Sequence, residues 1–329
     1  MLLLSPRSCV LMLVLLIGCK AVECPAGSVL EDDGLCYLPD PSDSGPSDSD
    51  PSDSDPSDSD PSDSSEPTVS EGPPDGVFET VTVGGYHTCV IASDGTLTCW
   101  GYSGDGQLDA PGGAFTAISA GLVHTCALAT EGTLACWGND DHGQSSPPTG
   151  TYTAVSAGLT HTCALATDGT LACWGNNDKG QTDAPEGAFT AITAGGSVSS
   201  AISTQGVLTC WGHQNYCIPE ALSGTTMTAA GFQHHIAVTD EGVACGGFSG
   251  DGRCPDADTA LIAISAGSYQ SCGLVGGGAL QCWPSENNVG EQTWPTGDFS
   301  MVASGHRSSC AITAEGTVLC WESDGTPIE

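Results

Sequence analysis

Residues 160–175 read THTCALATDGTLACWG, and this stretch decides the fold. Cys163 and Cys173 stand ten positions apart around Thr167, Asp168 and Gly169. The same phrase recurs as HTCVIASDGTLTCWG from His87, HTCALATEGTLACWG from His124 and SSCAITAEGTVLCWE from Ser308. A β-period on either side of Thr-Asp-Gly reads as a hairpin whose three-residue turn puts glycine in the left-handed position. Counting outward from the turn, Leu165 faces Leu171 and Cys163 faces Cys173. Directly opposed antiparallel residues have Cα atoms ~4.5–5.5 Å apart, within disulfide reach. The same arithmetic pairs Cys89 with Cys99, Cys126 with Cys136, Cys272 with Cys282 and Cys310 with Cys320. Each bridge would staple its own hairpin, contributing roughly 2–4 kcal/mol.

The first-cysteine slot falls at Cys89, Cys126, Cys163, Ser200, Ile236, Cys272 and Cys310, in steps of 36 to 38 residues. Seven units therefore fill residues 76–329, and a period of this length means a solenoid, propeller or array. Each unit reads strand, strand, turn, strand, with a weaker fourth segment such as the one carrying Gly180 and Gln181. Three or four short antiparallel strands repeated seven times fit an all-β, seven-bladed propeller. Units four and five break the cysteine pattern: Ser200 and Ile236 leave Cys210 and Cys245 without hairpin partners. Each of those units carries a loop cysteine instead, giving the expected pairs Cys210–Cys217 and Cys245–Cys254; the alternative, Cys217–Cys254 across blades, would strand Cys210 and Cys245. Unit five is one residue shorter in its turn, so its register stays open.

Two further slots repeat. Trp100, Trp137, Trp174, Trp211, Trp283 and Trp321 each follow the second cysteine, and alternation turns them to the opposite face of the strand. In a propeller both faces of a blade are buried, so these indoles read as core packing; in unit five the slot holds Gly246. His87, His124, His161 and His234 precede the first-cysteine slot by two. They read as buried imidazoles tying backbone together, because Val198, Gln270 and Ser308 break the ring a metal would need. The first strand of the propeller, residues 77–83, is expected to complete the sheet of the last blade and so close the ring without an open edge.

The repeat AGLTHTCALATDGTLACWGNNDKGQ, residues 157–181, resembles those of the regulator of chromosome condensation superfamily. The glycine after the first strand, the histidine, the turn glycine, Trp-Gly and Gly-Gln all match. The resemblance implies a seven-bladed propeller. The namesake's action on a nuclear GTPase and chromatin is not implied for a chain that looks exported and is strongly acidic. A secreted bacterial β-lactamase inhibitor of this fold, a pure protein binder, is the nearer parallel, and the paired cysteines suit an extracytoplasmic variant.

The N-terminal third carries the export signals. Residues 1–18 combine Arg7 with an apolar core at 10–17, too short to span a bilayer, and read as a signal peptide. Leu16-Ile17-Gly18-Cys19 resembles the lipobox of bacterial lipoproteins, which implies lipid attachment at Cys19; Lys20 after it suggests the outer membrane or cell surface. Without Cys9 and Cys19, 16 of the 18 cysteines remain, an even number. Cys24 and Cys36 close a small segment within residues 19–39. Residues 40–75 form a Pro/Ser/Asp-rich stalk; its low-complexity run, from 40 to about 67, is built on Pro-Ser-Asp-Ser-Asp, with like charges and nothing apolar to bury. Its carboxylates offer calcium only weak association, because no fixed backbone organises them.

Composition narrows the function. The net charge is −35, from 40 acidic and 5 basic side chains, and beyond residue 40 only Lys179, Arg253 and Arg307 are basic. Nucleic acid needs clustered Lys and Arg, so it is a poor partner. The membrane is met only through the lipid. Sequence motifs for a nucleophile elbow, a zinc peptidase or a phosphate loop are missing. The loop acids in 139–142 and 176–179 share one slot, which reads as turn chemistry. The expectation is a monomeric, non-enzymatic, surface-displayed module with no cofactor, recognising protein or glycan through the irregular loops 212–222, 248–259 and 284–295. Tyr216, Phe248, Arg253 and Trp294 are its candidate anchors. The alternatives are a polysaccharide hydrolase or lyase using loop carboxylates and, behind it, guanine-nucleotide exchange on a GTPase.

Overall fold

Each repeat folds as one antiparallel sheet. The computed structural model describes residues 72–218, 221–247, 252–284 and 294–328, together with the backbone of the short strands Val29–Leu30 and Cys36–Tyr37, which pair with each other. Cys19, Cys24, Phe248 and residues 40–71 of the stalk lie outside the described residues. The chain divides into two units, residues 1–63 and 64–329.

In the second unit the inner, middle and outer strands of blade one are Phe78–Val83, His87–Ala92 and Leu97–Gly101; those of blade two are Phe115–Ala120, His124–Ala129 and Leu134–Gly138. Blade three has Tyr152–Ala157, His161–Ala166 and Leu171–Gly175, and blade four Phe189–Ala194, Val198–Ser203 and Leu208–Gly212. Blade five has Thr225–Ala230, His234–Thr239 and Gly242–Gly247; blade six Leu261–Ala266, Gln270–Val275 and Ala279–Pro284; blade seven Phe299–Ser304, Ser308–Thr313 and Val318–Glu322. The Gly-Gln segment forms turns, not a strand, so blades one to six are three-stranded. In every blade the inner strand carries one register shift against the middle strand, at the residue after its first, which adds local twist.

The hairpin arithmetic sets the register. Cys163 lies opposite Cys173 and Leu165 opposite Leu171, with Gly169 at φ 86° in the turn. Bridges join Cys89–Cys99, Cys126–Cys136, Cys163–Cys173, Cys272–Cys282 and Cys310–Cys320, with Cα atoms 4.0–4.1 Å apart. Cys210 is bridged to Cys217 and Cys245 to Cys254, at Cα separations of 5.8 and 6.3 Å. Blade five has a two-residue turn: Thr239 faces Gly242, and Ile236 faces Cys245.

Successive blades interlock by placing the bridge side of one against the tryptophan side of the next. Cys163, Leu165 and Cys173 of blade three pack on Phe189, Ala201 and Trp211 of blade four, and Cys89 and Ile91 of blade one pack on Ile118 and Trp137 of blade two. The indoles of Trp137, Trp174 and Trp211 donate to the carbonyls of Gln107, Gln144 and Gln181 at 2.8–2.9 Å. Burying an aromatic ring with its N–H satisfied avoids the ~1–3 kcal/mol of an orphaned donor. The seam between blades four and five lacks the indole. There the bridged loop of blade four fills the gap: Cys217 and Ile218 are buried, and a Cβ on Gly246 would lie 2.5 Å from the carbonyl oxygen of Cys217.

The ring closes differently from the sequence expectation. Phe78–Val83 is the inner strand of blade one, paired with His87–Ala92, and does not join blade seven. Blade seven is instead widened by its own Pro327–Ile328, which pairs with Cys320 and Trp321. Each repeat begins at an inner strand and ends at an outer one, so no blade has to be shared. Closure is a seventh seam of the usual kind, with Cys310, Ile312 and Cys320 against Val81, Val90 and Trp100.

Candidate binding face

The glycine that follows each inner strand builds the axis. These residues are Gly84, Gly121, Gly158, Gly195, Gly231, Gly267 and Gly305, and a Cβ on any one would collide with the carbonyl oxygen of the next, Gly305 returning to Gly84. N–H groups just after the glycines donate around the same circle: Gly85 to Gly121, Leu159 to Gly195, Gly196 to Gly231, Phe232 to Gly267, Ser268 to Gly305 and His306 to Gly84, at 2.9–3.2 Å. Only a residue without a Cβ lets backbones approach so closely. The ring encloses an axial cavity of about 180 Å³, lined by the ends of the inner strands.

The histidine slot secures the next layer out. The Nε2 atoms of His87, His124 and His161 lie 2.6, 2.9 and 2.9 Å from the hydroxyls of Thr125, Thr162 and Ser199, each on the following blade. Thr162 and Ser199 donate onward to the carbonyls of Gln144 and Gln181, so the hydroxyl must accept from an Nε2–H. Gln270 makes the equivalent bond to Ser309 at 2.6 Å. Burial lowers the pKa of His87 and His161 to about 4 and that of His124 to about 3, so all three are neutral ties between blades. His235 takes the hydroxyl slot of blade five, lies 2.7 Å from Thr228 and 2.9 Å from Ser200, and is lowered by burial to about 4.

The two ends of the propeller differ. One end carries the hairpin turns, where acids cap their own loops. Asp94 accepts from the Thr96 amide and hydroxyl, and Asp168 from those of Thr170, at 2.6–3.0 Å; these bonds hold both carboxyls below the usual range. The other end carries the inner-to-middle turns and, beside them, the exits of the outer strands. Tyr102, Asn139, Asn176, His213 and Ser323 donate backbone N–H groups to Tyr86, Val123, Thr160, Ser197 and Arg307 there. The loop beginning at 212 leaves from this end, and the outer strands of blades five and six finish here at Gly247 and Pro284.

This end also gathers the exposed aromatics. Tyr86, Tyr102 and Tyr269 are 47, 40 and 36% exposed, three of the six most exposed large apolar side chains among the described residues. His306 sits between them, its ring 5.9 Å from Tyr86, 5.4 Å from Tyr269 and 6.1 Å from Phe232, and Tyr86 meets Tyr102 edge-on at 6.3 Å. The His306 Nδ1 lies 2.7 Å from the Ser268 hydroxyl; burial and then the adjacent Arg307 lower its pKa to about 4. The result is a continuous aromatic arc over blades five, six, seven and one, which meets the axial cavity through Phe232 and His306.

The sequence-derived anchors are distributed unevenly. Tyr216 stacks on His213 at 4.3 Å in the 3-10 turn Gln214–Tyr216, on this end. Arg253 is buried, and its guanidinium donates to the Ser268 carbonyl, bracing the Cys245–Cys254 loop against blade six. Trp294 is partly buried against Trp321, 6.4 Å away, within the seam of blades six and seven. Arg253 and Trp294 thus support the face from behind. The tyrosine arc escaped the sequence reading, although a signal was present: the two slots after each ring glycine read GY, LV, LT, GS, FQ, SY and HR, the least regular in the repeat. The loop acids lie in turns: Asn139 and Asn176 accept from Gln144 and Gln181 at 2.6 Å and donate to Asp141 and Asp178 at 2.9–3.0 Å. Among the described residues, no group of three metal-ligating side chains converges and no helix is long and apolar enough to cross a membrane.

Residues 78–107, 115–144 and 152–181 match the regulator of chromosome condensation (RCC1) repeat. Among solved structures the chain is similar to the ectodomain of the Physcomitrella patens receptor kinase CR4, with 22% identity, 75% of this chain and 74% of that one covered, and a TM-score of 0.63. It is similar to the ectodomain of the Arabidopsis thaliana receptor kinase ACR4, with 24% identity over 75% and 97% and a TM-score of 0.63. Human WBSCR16 follows at 16% identity over 72% and 87%, with a TM-score of 0.60. No curated protein matches the chain. Three consecutive units of the chain thus match the RCC1 repeat, and the seven blades among the described residues share one strand order.

Proposed function

We propose that this protein is an exported, non-enzymatic binding module that offers the aromatic end of its propeller to a partner at the cell surface. The carrying observation is the asymmetry of the two ends. One repeats regular, self-capped turns, whereas the other concentrates Tyr86, Tyr102, Tyr216, Phe232 and Tyr269. Tyrosine supplies large, amphipathic contact area at little conformational cost, and it is enriched at interfaces. Seven disulfides among the described residues and the likeness to two receptor-kinase ectodomains support an extracellular setting. Cys19 is proposed as the lipid anchor and residues 40–75 as the stalk that lifts the propeller off the membrane. Polysaccharide cleavage by loop carboxylates is the second reading, and nucleotide exchange the third.

The test is capture from intact cells with the full oxidised chain, against a variant in which Tyr86, Tyr102 and Tyr269 are alanine. A partner held by the native chain and lost by the variant is the expected result. Equal capture by both would overturn the choice of face. Turnover of surface polysaccharide abolished by one Asp or Glu change would overturn the non-enzymatic reading.

A further inference from the structure

Resting on the binding-module reading, the loop that carries Tyr102 points to the chemical group this face takes. After the outer strands of blades two and three, a glutamine fastens the loop. Gln144 accepts from the His142 amide at 2.9 Å and donates its Nε2–H to the Asn139 carboxamide oxygen at 2.6 Å. Gln181 repeats the pattern with the Lys179 amide and Asn176, at 2.9 and 2.6 Å. Each asparagine in turn donates to an aspartate two residues on, Asp141 or Asp178. In blade one Gln107 is set the same way. The Asp105 amide donates to its Oε1 at 2.8 Å, and this bond fixes which way the side-chain amide faces. The asparagine and aspartate positions of this loop, however, hold Tyr102 and Gly104. The Gln107 Nε2 is therefore left without an acceptor, on a residue that is fully buried. Native structures seldom leave a buried donor unpaired, and an aromatic ring is at most a weak substitute for a carbonyl oxygen.

Tyr102 covers this loop. Its ring lies across Gly104, where an added Cβ would strike the phenol. The side chain is also part of the exposed arc, so it has solvent to turn into. The sister loops show what fits the slot beside Gln107: a planar carboxamide on a short, slender stem. A sugar hydroxyl stands directly on its ring and lacks the reach for a buried nitrogen. Residues 101–110 contain Asp105 and Asp109 and no Lys or Arg, so a carboxylate entering here would stay unpaired, at high cost. A neutral oxygen avoids that cost.

We infer that Gln107 is a binding residue: its Nε2–H takes an Asn or Gln side chain of a partner protein, which enters beside Tyr102 and completes from outside the triad that blades two and three complete with their own asparagine.

The decisive variant is Tyr102→Asn/Gly104→Asp, which writes the blade-two triad into blade one. The Gly104 backbone is not left-handed, and the atoms nearest an added Cβ belong to Tyr102, which the variant removes. It should melt about 2–4 °C above Tyr102→Ala/Gly104→Asp, which lacks the ring but offers Gln107 no acceptor. Equal melting temperatures would overturn the premise of an unpaired donor. Binding is read with a phage-displayed library of random disulfide-cyclised peptides, selected on the immobilised, oxidised full chain. Enriched peptides are expected to carry an Asn or Gln whose exchange for Ala weakens binding about tenfold or more. They should bind Tyr102→Ala, whose slot is open, better than the rebuilt variant, whose slot is filled. Equal loss on both variants would overturn the inference and leave Tyr102 as an ordinary aromatic contact. Peptides that need Tyr86 and Tyr269 but no Asn or Gln would overturn the acceptor class while leaving the binding module standing. Peptides indifferent to all three tyrosines would overturn the choice of face as well, and a library that yields no binder would overturn the inference together with the reading it rests on.

Discussion

The buried histidines make acid stability a sharp test of the blade contacts. His87, His124, His161 and His235 are neutral ties whose pKa values fall to about 4, 3, 4 and 4 through burial. In the unfolded chain each returns to ~6.5. Between these values the unfolded state binds more protons than the folded one, so stability falls as pH falls. The loss begins near pH 6.5 and ends near the folded pKa. A single site shifted from ~6.5 to ~4 loses about 2 kcal/mol between pH 7 and pH 5. Four such sites sum to roughly 7 kcal/mol, comparable with the whole stability of an ordinary domain, ~5–15 kcal/mol.

Blade six supplies the control, because Gln270 occupies the histidine slot and still reaches the next blade. His87→Gln/His124→Gln/His161→Gln should therefore keep the inter-blade bond and remove the proton. The assay is urea unfolding followed by tryptophan fluorescence at half-unit steps from pH 7.5 to 5, with the disulfides intact. The window stays above the range of the carboxylates held down by turn bonds, such as Asp94 and Asp168. The parent should lose several kcal/mol on descending, and the triple variant should have a markedly flatter profile. Parallel profiles would refute the reasoning, since the imidazoles would then titrate alike in both states.

Two other perturbations probe the staples and the irregular seam. Cys163→Ala/Cys173→Ala opens a ten-residue separation and should cost about 3 kcal/mol by the loop-entropy relation, read as a lowered denaturation midpoint. Gly246→Ala should destabilise more than a typical surface change, by over ~1.5 kcal/mol. The added Cβ would strike the backbone of Cys217 and Ile218, and differential scanning calorimetry should show a lowered melting temperature.

Much of this architecture was legible because repetition turns one reading into seven. The hairpin register needed only the turn and the period of two, and the five hairpin bridges then followed from counting, whereas Cys210–Cys217 and Cys245–Cys254 followed from the cysteines left over in units four and five. Closure was not legible. The early strand at residues 77–83 looked unpaired only because the last unit ends soon after Cys320, and the pairing of Pro327–Ile328 with Cys320 and Trp321 depends on a local turn that no periodicity announces. Gly246 makes a tight contact, because the displaced bridge of blade four carries its own loop into the indole's place, and such compensation between units is invisible from either unit alone.

The same logic explains why the candidate face was sought in the loops and lies partly elsewhere. A long loop with a Trp or Arg resembles a binding loop in sequence, but length also brings backbone that must be braced. Arg253 and Trp294 are consumed in bracing, the first on the Ser268 carbonyl and the second on Trp321. The short turns after the ring glycines need no bracing, since the N–H groups beside those glycines already bond around the axis. Their next two side chains are thereby released from structural duty. In a molecule whose other slots are fixed by bridges, indoles, imidazoles and glycines, chemical variety concentrates where the backbone alone holds the fold, and Tyr86, Tyr269 and His306 stand in those slots.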